Sequence, residues 1–365
     1  MAKAYGMFLV YYGHFVEKIA DLQGFSADTV AYKQYKGIYA FHMPLFFIIS
    51  GFVYKYKKQS LPSFLYQKVL TRLVPVLFFN LVAIGIYVAD NFARGNNGIT
   101  ERYSVTSIVT DLLTGYPFGN FLTWFLICLF TVELLNHLVY PVVKDNLWKR
   151  SVLAIATLLI GYYFSINPHL TASLPIRGLR TWFFHEALVG FSFYQLGFIL
   201  KQVDIISWFT NSSYKYIGLG LTLILTMATF NLNQGPFSDP RGMVGLGITD
   251  YGNLFWFVIT AMTGSLFVIL LALSLPNIKG MKFIGKNTLI LLGMNFFFMD
   301  FTKPVIEKIG ISVFDNGLTV TLFCLALTIG SFLVTTPLIQ LLNKFLPQCI
   351  GRPKAHGPLL PALLR

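Results

Sequence analysis

Asn253-Leu254-Phe255-Trp256-Phe257-Val258-Ile259-Thr260-Ala261-Met262-Thr263-Gly264-Ser265-Leu266-Phe267-Val268-Ile269-Leu270-Leu271-Ala272-Leu273-Ser274-Leu275 runs for 23 residues without a charge and stops at Pro276-Asn277. A helix needs about 20 mostly apolar residues to cross the hydrocarbon core of a bilayer, whereas a buried strand uses about 4 to 8. The stretch therefore reads as a membrane-spanning helix. Nine more stretches of the same character lie outward from it, at roughly 2–16, 38–54, 73–93, 118–143, 151–166, 181–200, 214–232, 288–306 and 317–342. Gly95-Asn96-Asn97-Gly98, Asn167-Pro168 and Asn233-Gln234-Gly235-Pro236 punctuate them as loops do. No repeat, low-complexity tract or long polar segment interrupts the pattern. Residues 1–346 are thus expected to form one all-α domain, a polytopic integral membrane protein of about ten transmembrane helices. The proline-rich end, 347–365, is expected to be a mobile tail without function. The first segment has little apolar length before Glu17 and carries no signal-peptide pattern, so the natural chain is expected to begin earlier.

Composition supports the membrane reading. Of 365 residues, 55% are apolar, 16% aromatic and only 12% charged, and mean hydropathy is +0.64. So few charges cannot cover a compact soluble surface, and disorder is excluded by the apolar content. The net charge of +13 is explained by topology: with both ends cytoplasmic, 18 of the 28 basic residues fall on the inner side, as the positive-inside rule requires. Spread over short loops, they form no stripe for nucleic acid. Cys128, Cys324 and Cys349 show neither a CxxC pair nor metal-ligand spacing, so no disulfide framework and no metal are expected.

Ionisable groups inside apolar segments are the natural functional candidates. Lys3 and His14 are eleven residues apart, which at 100° per residue puts them within about 20° of one helix face and about 16 Å apart along the axis. Spacing alone favours the plainer reading, in which Lys3 snorkels and His14 makes a satisfied polar contact. His42 opens the second segment just before Pro44 and would sit at the depth of His14, so the two are expected to meet. Ser50-Gly51 lies further along the same segment and serves close helix packing or a backbone contact to a ligand. Glu133 is read as a structural partner of Asn136 or His137, and Asp300 as an i, i+3 partner of Lys303. Interface polarity or acceptor binding would each explain His185 and Glu186, the plainer reading leading. Trp124 and Phe125 read as packing or lipid-facing.

Lys3-x10-His14, Phe41-His42-Met43-Pro44-Leu45-Phe46-Phe47-Ile48-Ile49-Ser50-Gly51-Phe52, Lys68-x3-Arg72-x2-Pro75, Thr123-Trp124-Phe125-Leu126, Phe193-Tyr194-Gln195-Leu196-Gly197 and Gly285-Lys286-Asn287-Thr288-Leu289 follow in order. This succession resembles the membrane-bound acyltransferase family 3, most nearly its fucose 4-O-acetylase-like branch, from Lys3 to about Phe345. The resemblance implies a bacterial inner-membrane O-acetyltransferase that moves an acetyl group from cytoplasmic acetyl-CoA to a hydroxyl of a cell-envelope carbohydrate. It promotes Lys3 and His14 to catalytic residues, with Lys in place of the commoner Arg. Where many relatives have a histidine, this chain has Asn295, and the extracytoplasmic hydrolase-like domain that some members carry is not expected here.

On that reading Lys3, Lys55, Lys57, Lys58, Lys68 and Arg72 hold the phosphates of coenzyme A. The pantetheine arm runs up the Lys3–His14 face. His14 acts as general base on the sugar hydroxyl, and His42 orients that imidazole or the acceptor. Ser50 or a backbone N–H near Gly51 stabilises the oxyanion. The expected partners are acyl-CoA, a carbohydrate at the membrane and the lipid bilayer, with no nucleic acid and with self-association left open. The rival readings are an exporter of a saccharide or lipid-linked saccharide, which paired broken helices would favour, and a sensor or assembly subunit that would tolerate loss of His14.

Overall fold

A computed structural model describes residues 1–95, 103–172, 178–210 and 214–364 of the chain. Residues 96–98 of the expected Gly95–Gly98 loop, and Arg365, lie outside the described residues. The helices in chain order are α1 (Ala2–Leu22), α2 (Val30–Tyr39), α3 (His42–Phe52), α4 (Leu61–Lys68), α5 (Val74–Ala93), α6 (Val105–Thr114), α7 (Trp124–Val143) and α8 (Leu147–Ile166). They continue with α9 (His169–Ala172), α10 (Phe184–Gln202), α11 (Ile205–Thr210), α12 (Tyr214–Thr229), α13 (Leu254–Ser274), α14 (Lys279–Lys286), α15 (Thr288–Ile309) and α16 (Gly317–Phe345). Among the described residues there is no β-strand beyond one isolated bridge, Gly245 to Asp250.

Each of the ten expected segments overlaps a helix, though 38–54, 118–143, 181–200 and 214–232 also include non-helical residues. Among the described residues, seven helices are long and apolar enough to cross a membrane by length and composition: Leu61–Ala93, Phe121–Val143, Leu147–Ile166, Arg180–Gln202, Leu254–Ser274, Thr288–Ile309 and Gly317–Phe345. The first segment is longer than its apolar core predicts, because α1 continues past Glu17 to Leu22. It sits at the centre of the bundle against α2, α3, α13, α14, α15 and α16. Glu17 and its neighbours need no lipid-facing surface there.

The second segment is two helices. Pro44 offers no backbone N–H and fits only the first turn of α3, so the chain breaks at Ala40-Phe41. His42 bridges the break: its Nδ1–H donates to the Ile38 carbonyl at 3.0 Å, satisfying one of the carbonyls that end α2. Beyond it, α3 lies against α10 with no side chain between. A Cβ on Gly51 would stand 1.9 Å from the Tyr194 carbonyl oxygen, and one on Gly197 1.9 Å from that of Ile48. Both glycines are required by this approach.

Ahead of Pro75 the third segment widens into a π-helical turn, Val69–Leu73. Such turns re-aim side chains within a helix, and here Lys68 and Arg72 both reach Glu133 on α7. Arg72 grips the carboxylate with two nitrogens, Nε at 3.0 Å and Nη2 at 2.9 Å, and Lys68 Nζ lies 2.9 Å away. Buried ions persist where they are paired. The expected partners Asn136 and His137 are engaged elsewhere, with Gln195 and the Phe64 ring. Asp300 and Lys303 are both exposed and do not pair as expected.

The tail expected to be mobile is tied down. Gln348 Nε2 donates to the carbonyls of Ala355, Leu360 and Pro361, and Arg352 donates to Lys286 O and Asn287 Oδ1. One buried amide thus gathers three carbonyls of a loop that also pairs its own backbone, Gly357 N–H to Leu360 O and Leu363 N–H to Pro353 O, an arrangement with no signature in a proline-rich sequence.

Candidate functional site

Three cavities follow one another along α1. The first, about 650 Å³, is lined by Met1, Lys3, Lys282, Lys286, Phe52 and Val53 among others. The second, about 110 Å³, is lined by Lys3, Met7, Val10, Met43, Phe46, Ser50, Arg72 and Leu292 with their neighbours. The third, about 220 Å³, is lined by His14, Glu17, Tyr39, His42, Met43, Trp124, Arg241 and Met299 with their neighbours. Lys3 is a wall of the first two cavities, and Met43 of the last two. On α1 the lining residues recur as Lys3, Met7, Val10 and His14, a helical i, i+4, i+7, i+11 stripe.

In the third cavity His14 is held by a carboxylate. Its Nδ1 lies 2.9 Å from Glu17 Oε2 and 2.8 Å from the Tyr39 hydroxyl, and that hydroxyl donates to the same carboxylate oxygen at 2.6 Å. An ionised carboxylate only accepts, so an imidazole paired with it donates from Nδ1, which leaves the lone pair on Nε2 of a residue that lines the cavity. This is the orientation a general base needs, with the carboxylate placed to stabilise the imidazolium. The other carboxylate oxygen, Oε1, accepts from Arg241 Nη1 at 3.2 Å. Arg241 is in turn held by Asp239 through Nε and Nη2, each at 2.8 Å. Outside the helices, this pairing keeps the Asp239 carboxyl below the usual carboxylate range and raises Arg241. Asp250 fixes the loop by accepting from the N–H groups of Ser238 and Asp239 at 2.8 and 2.7 Å.

His42 lies on the far side of Tyr39, with ring centroids 4.7 Å apart, while His14 meets the same ring edge-on at 5.8 Å. The two histidines therefore line one cavity with a tyrosine between them. His42 does not orient His14: Glu17 and Tyr39 do. Because its Nδ1–H is spent on Ile38 O, His42 too offers a lone pair on Nε2. Trp124, read from sequence as packing or lipid-facing, is a wall of this cavity. Phe125 lines the second cavity instead.

Ser50 and Gly51 are not brought to His14. Ser50 lines the Lys3 cavity and donates its hydroxyl to Phe46 O at 2.7 Å, and Gly51 is occupied with Tyr194. Lys55, Lys57 and Lys58 are exposed and line none of these cavities. Lys68 and Arg72 are neutralised in part by Glu133, although Arg72 still borders the second cavity. The basic wall of the first cavity is instead Lys3 with Lys282 and Lys286, the latter two on the short helix α14. His185 is tied to the backbone of α8, with Nε2 2.9 Å from Gly161 O, and Glu186 beside it is buried.

Sequence reasoning thus missed Glu17, Tyr39, Arg241, Lys282 and Lys286. Glu17 stands three residues after His14, the helical spacing of a side-chain pair, and that signal was available. Lys282 and Lys286 share one face of a short amphipathic segment. Arg241 has no local signal, since it lies 224 residues from its partner.

The family profile described as an acyltransferase domain, that of acyltransferase family 3, matches residues 1–336. A curated relative, the nodulation protein NolL of Mesorhizobium japonicum, is 26% identical over 231 residues, which is 63% of this chain and 53% of that protein. The match thus spans about half of the relative's length. No solved structure matches the chain.

Proposed function

Because the chain belongs to acyltransferase family 3 and is a multi-pass membrane acyltransferase, we propose that it transfers an acetyl group from cytoplasmic acetyl-CoA to a hydroxyl of a cell-envelope carbohydrate. The membrane is the bacterial inner membrane, and both chain ends face the cytoplasm. The observation that carries this reading is the His14–Glu17 pair, turned into a cavity that adjoins, through Met43, the cavity bordered by Lys3.

The anionic end of the donor rests against Lys3, Lys282 and Lys286. Its arm follows the Lys3, Met7, Val10 stripe, and the thioester comes to rest near His14. The acceptor hydroxyl enters the third cavity from the Arg241 side. His14 Nε2 takes the hydroxyl proton as the oxygen attacks the thioester carbon, and Glu17 stabilises the imidazolium. The C–S bond then breaks, the sulfur leaves, and the proton held on His14 passes to it, giving the ester and free coenzyme A thiol. Trp124 lines this cavity, and its indole N–H is the kind of donor that acyl transfer requires where negative charge develops.

The test is transfer of labelled acetyl from acetyl-CoA to candidate envelope sugars by the purified protein. His14→Ala and His14→Gln should both fold and both lose transfer by about 10² to 10⁴. A His14→Ala protein with near-native transfer would refute the assignment, and saccharide export independent of acetyl-CoA would replace the proposed reaction with transport.

A further inference from the structure

The basic wall of the first cavity stands on a helix that cannot hold its own place. α14 has eight residues, and none of them is fully buried; so short a helix is marginal by itself. Yet Lys282 and Lys286 both line the cavity from it, four residues apart and so on one face. Where those two cations stand depends on how the end of α14 is fastened.

The fastening is the corner between α14 and α15. Asn287, buried there, donates its N–H to Ile284 O and its Nδ2 to Phe283 O at 2.8 Å. Its Oδ1 accepts twice, from Asn343 Nδ2 of α16 at 3.0 Å and from Arg352 Nη2 of the tail at 2.9 Å. The same arginine nitrogen reaches the Lys286 carbonyl at 3.2 Å, one of the carbonyls a helix end leaves over and a place where a cation is favoured. Beside it, Gly351 has a φ of +79°, and a Cβ there would stand 3.0 Å from Thr71 O and 3.1 Å from Leu289 Cδ1. The tail is thus set against both donor cavities: Lys286 lines the first, and Leu289 and Arg72, the neighbour of Thr71, line the second.

We propose that Arg352 is a positioning residue for the acyl donor: by tying the end of α14 and the Asn287 corner to the tail, it holds Lys282 and Lys286 where they meet the donor's phosphates. This rests on the acetyl-CoA reading above and adds to it a role for the C-terminal tail. Arg352 lines neither cavity, so it acts through the corner it fastens.

The experiment measures coenzyme A affinity by titration calorimetry, together with the kinetics of acetyl transfer, on the full chain. Arg352→Ala should weaken coenzyme A binding and raise the KM for acetyl-CoA about ten-fold, with kcat within about two-fold of wild type. Arg352→Lys should recover to within about three-fold of wild type, because both bonds leave from a single nitrogen that an ammonium can replace. In a Lys282→Met, Lys286→Met background, Arg352→Ala should cost less than about two-fold more, since the groups it positions are already gone. A lowered thermal midpoint with unchanged affinity and KM would make Arg352 structural only and overturn the inference. A further loss of about ten-fold in the Lys282→Met, Lys286→Met background would mean direct contact with the donor and would overturn it too, as would failure of both Arg352 variants to fold. In each of these cases the acetyl-CoA reading stands. If wild type neither binds coenzyme A nor turns over acetyl-CoA, both are wrong.

Discussion

Replacing Glu17 by glutamine tests the site by one atom. The carboxylate accepts from His14 and Tyr39 on Oε2 and from Arg241 on Oε1. An amide cannot repeat this. If its oxygen is turned to Arg241, its NH₂ faces His14 Nδ1, which must then accept, and the imidazole proton moves to Nε2. The lone pair that faced the cavity is gone. If the oxygen is turned to His14, the NH₂ confronts the Arg241 guanidinium and the loop that carries it is displaced. The first arrangement is favoured, because it satisfies the charged partner. Loss of a general base is worth about 10² to 10⁴ in rate, or about 3 to 5 kcal/mol in the barrier. Glu17→Gln should therefore fall nearly to the level of His14→Gln, with KM for the donor little changed. The assay is initial-rate acetyl transfer by the single variants and by the double variant. Groups that work as a unit are strongly non-additive, so the double should be no slower than the worse single. A Glu17→Gln enzyme within three-fold of wild type, or effects that multiply in the double, would show that the carboxylate does not set the state of His14.

Three further outcomes follow from the geometry. Gly51→Ala or Gly197→Ala puts a methyl 1.9 Å from a carbonyl oxygen of the facing helix, so each should destabilise the protein by about 3 kcal/mol or more, visible as a lowered thermal midpoint in detergent. Neutralising Lys282 and Lys286 together should weaken coenzyme A binding and flatten its salt dependence, whereas neutralising the exposed Lys55, Lys57 and Lys58 should leave affinity unchanged; titration calorimetry at two salt concentrations separates them. The Asp239 carboxyl is held below its ordinary range by Arg241, so its contribution is complete above about pH 4 and lost as pH falls further. Thermal midpoints between pH 7 and 3 should show an acid drop that is smaller in Asp239→Asn.

The helices were legible because each apolar run is longer than any strand and ends in turn residues, as in Leu254–Ser274. What was not legible came from contacts between distant parts of the chain. Lys68 and Arg72 look like free cations until Glu133 of α7 is folded against them, and Gly51 looks like a ligand contact until Tyr194 is. The break between α2 and α3 was written in His42-Met43-Pro44 but hidden by the unbroken apolarity on both sides. At the candidate site, His14 could be singled out by register with Lys3. Glu17 was passed over because its charge marked where lipid-facing character stops. A central helix obeys a different rule, since its surroundings are protein.

The sequence of cavities along α1 has an electrical consequence. A membrane that stores energy as an ion gradient tolerates no continuous wet path across it, yet a transferase whose two substrates arrive from opposite sides must bring them within bonding distance. On the reaction proposed above, the two approaches would meet at Met43, which borders both cavities, and the smaller of the two, about 110 Å³, sets Val10, Phe46 and Leu292 beside Lys3 and Arg72. A small cation stripped of water there meets apolar side chains and the like charges of Lys3 and Arg72, while a methionine side chain is pliable enough to let a neutral acyl arm pass. On that reading the same residue that joins the two halves of the site would insulate one compartment from the other.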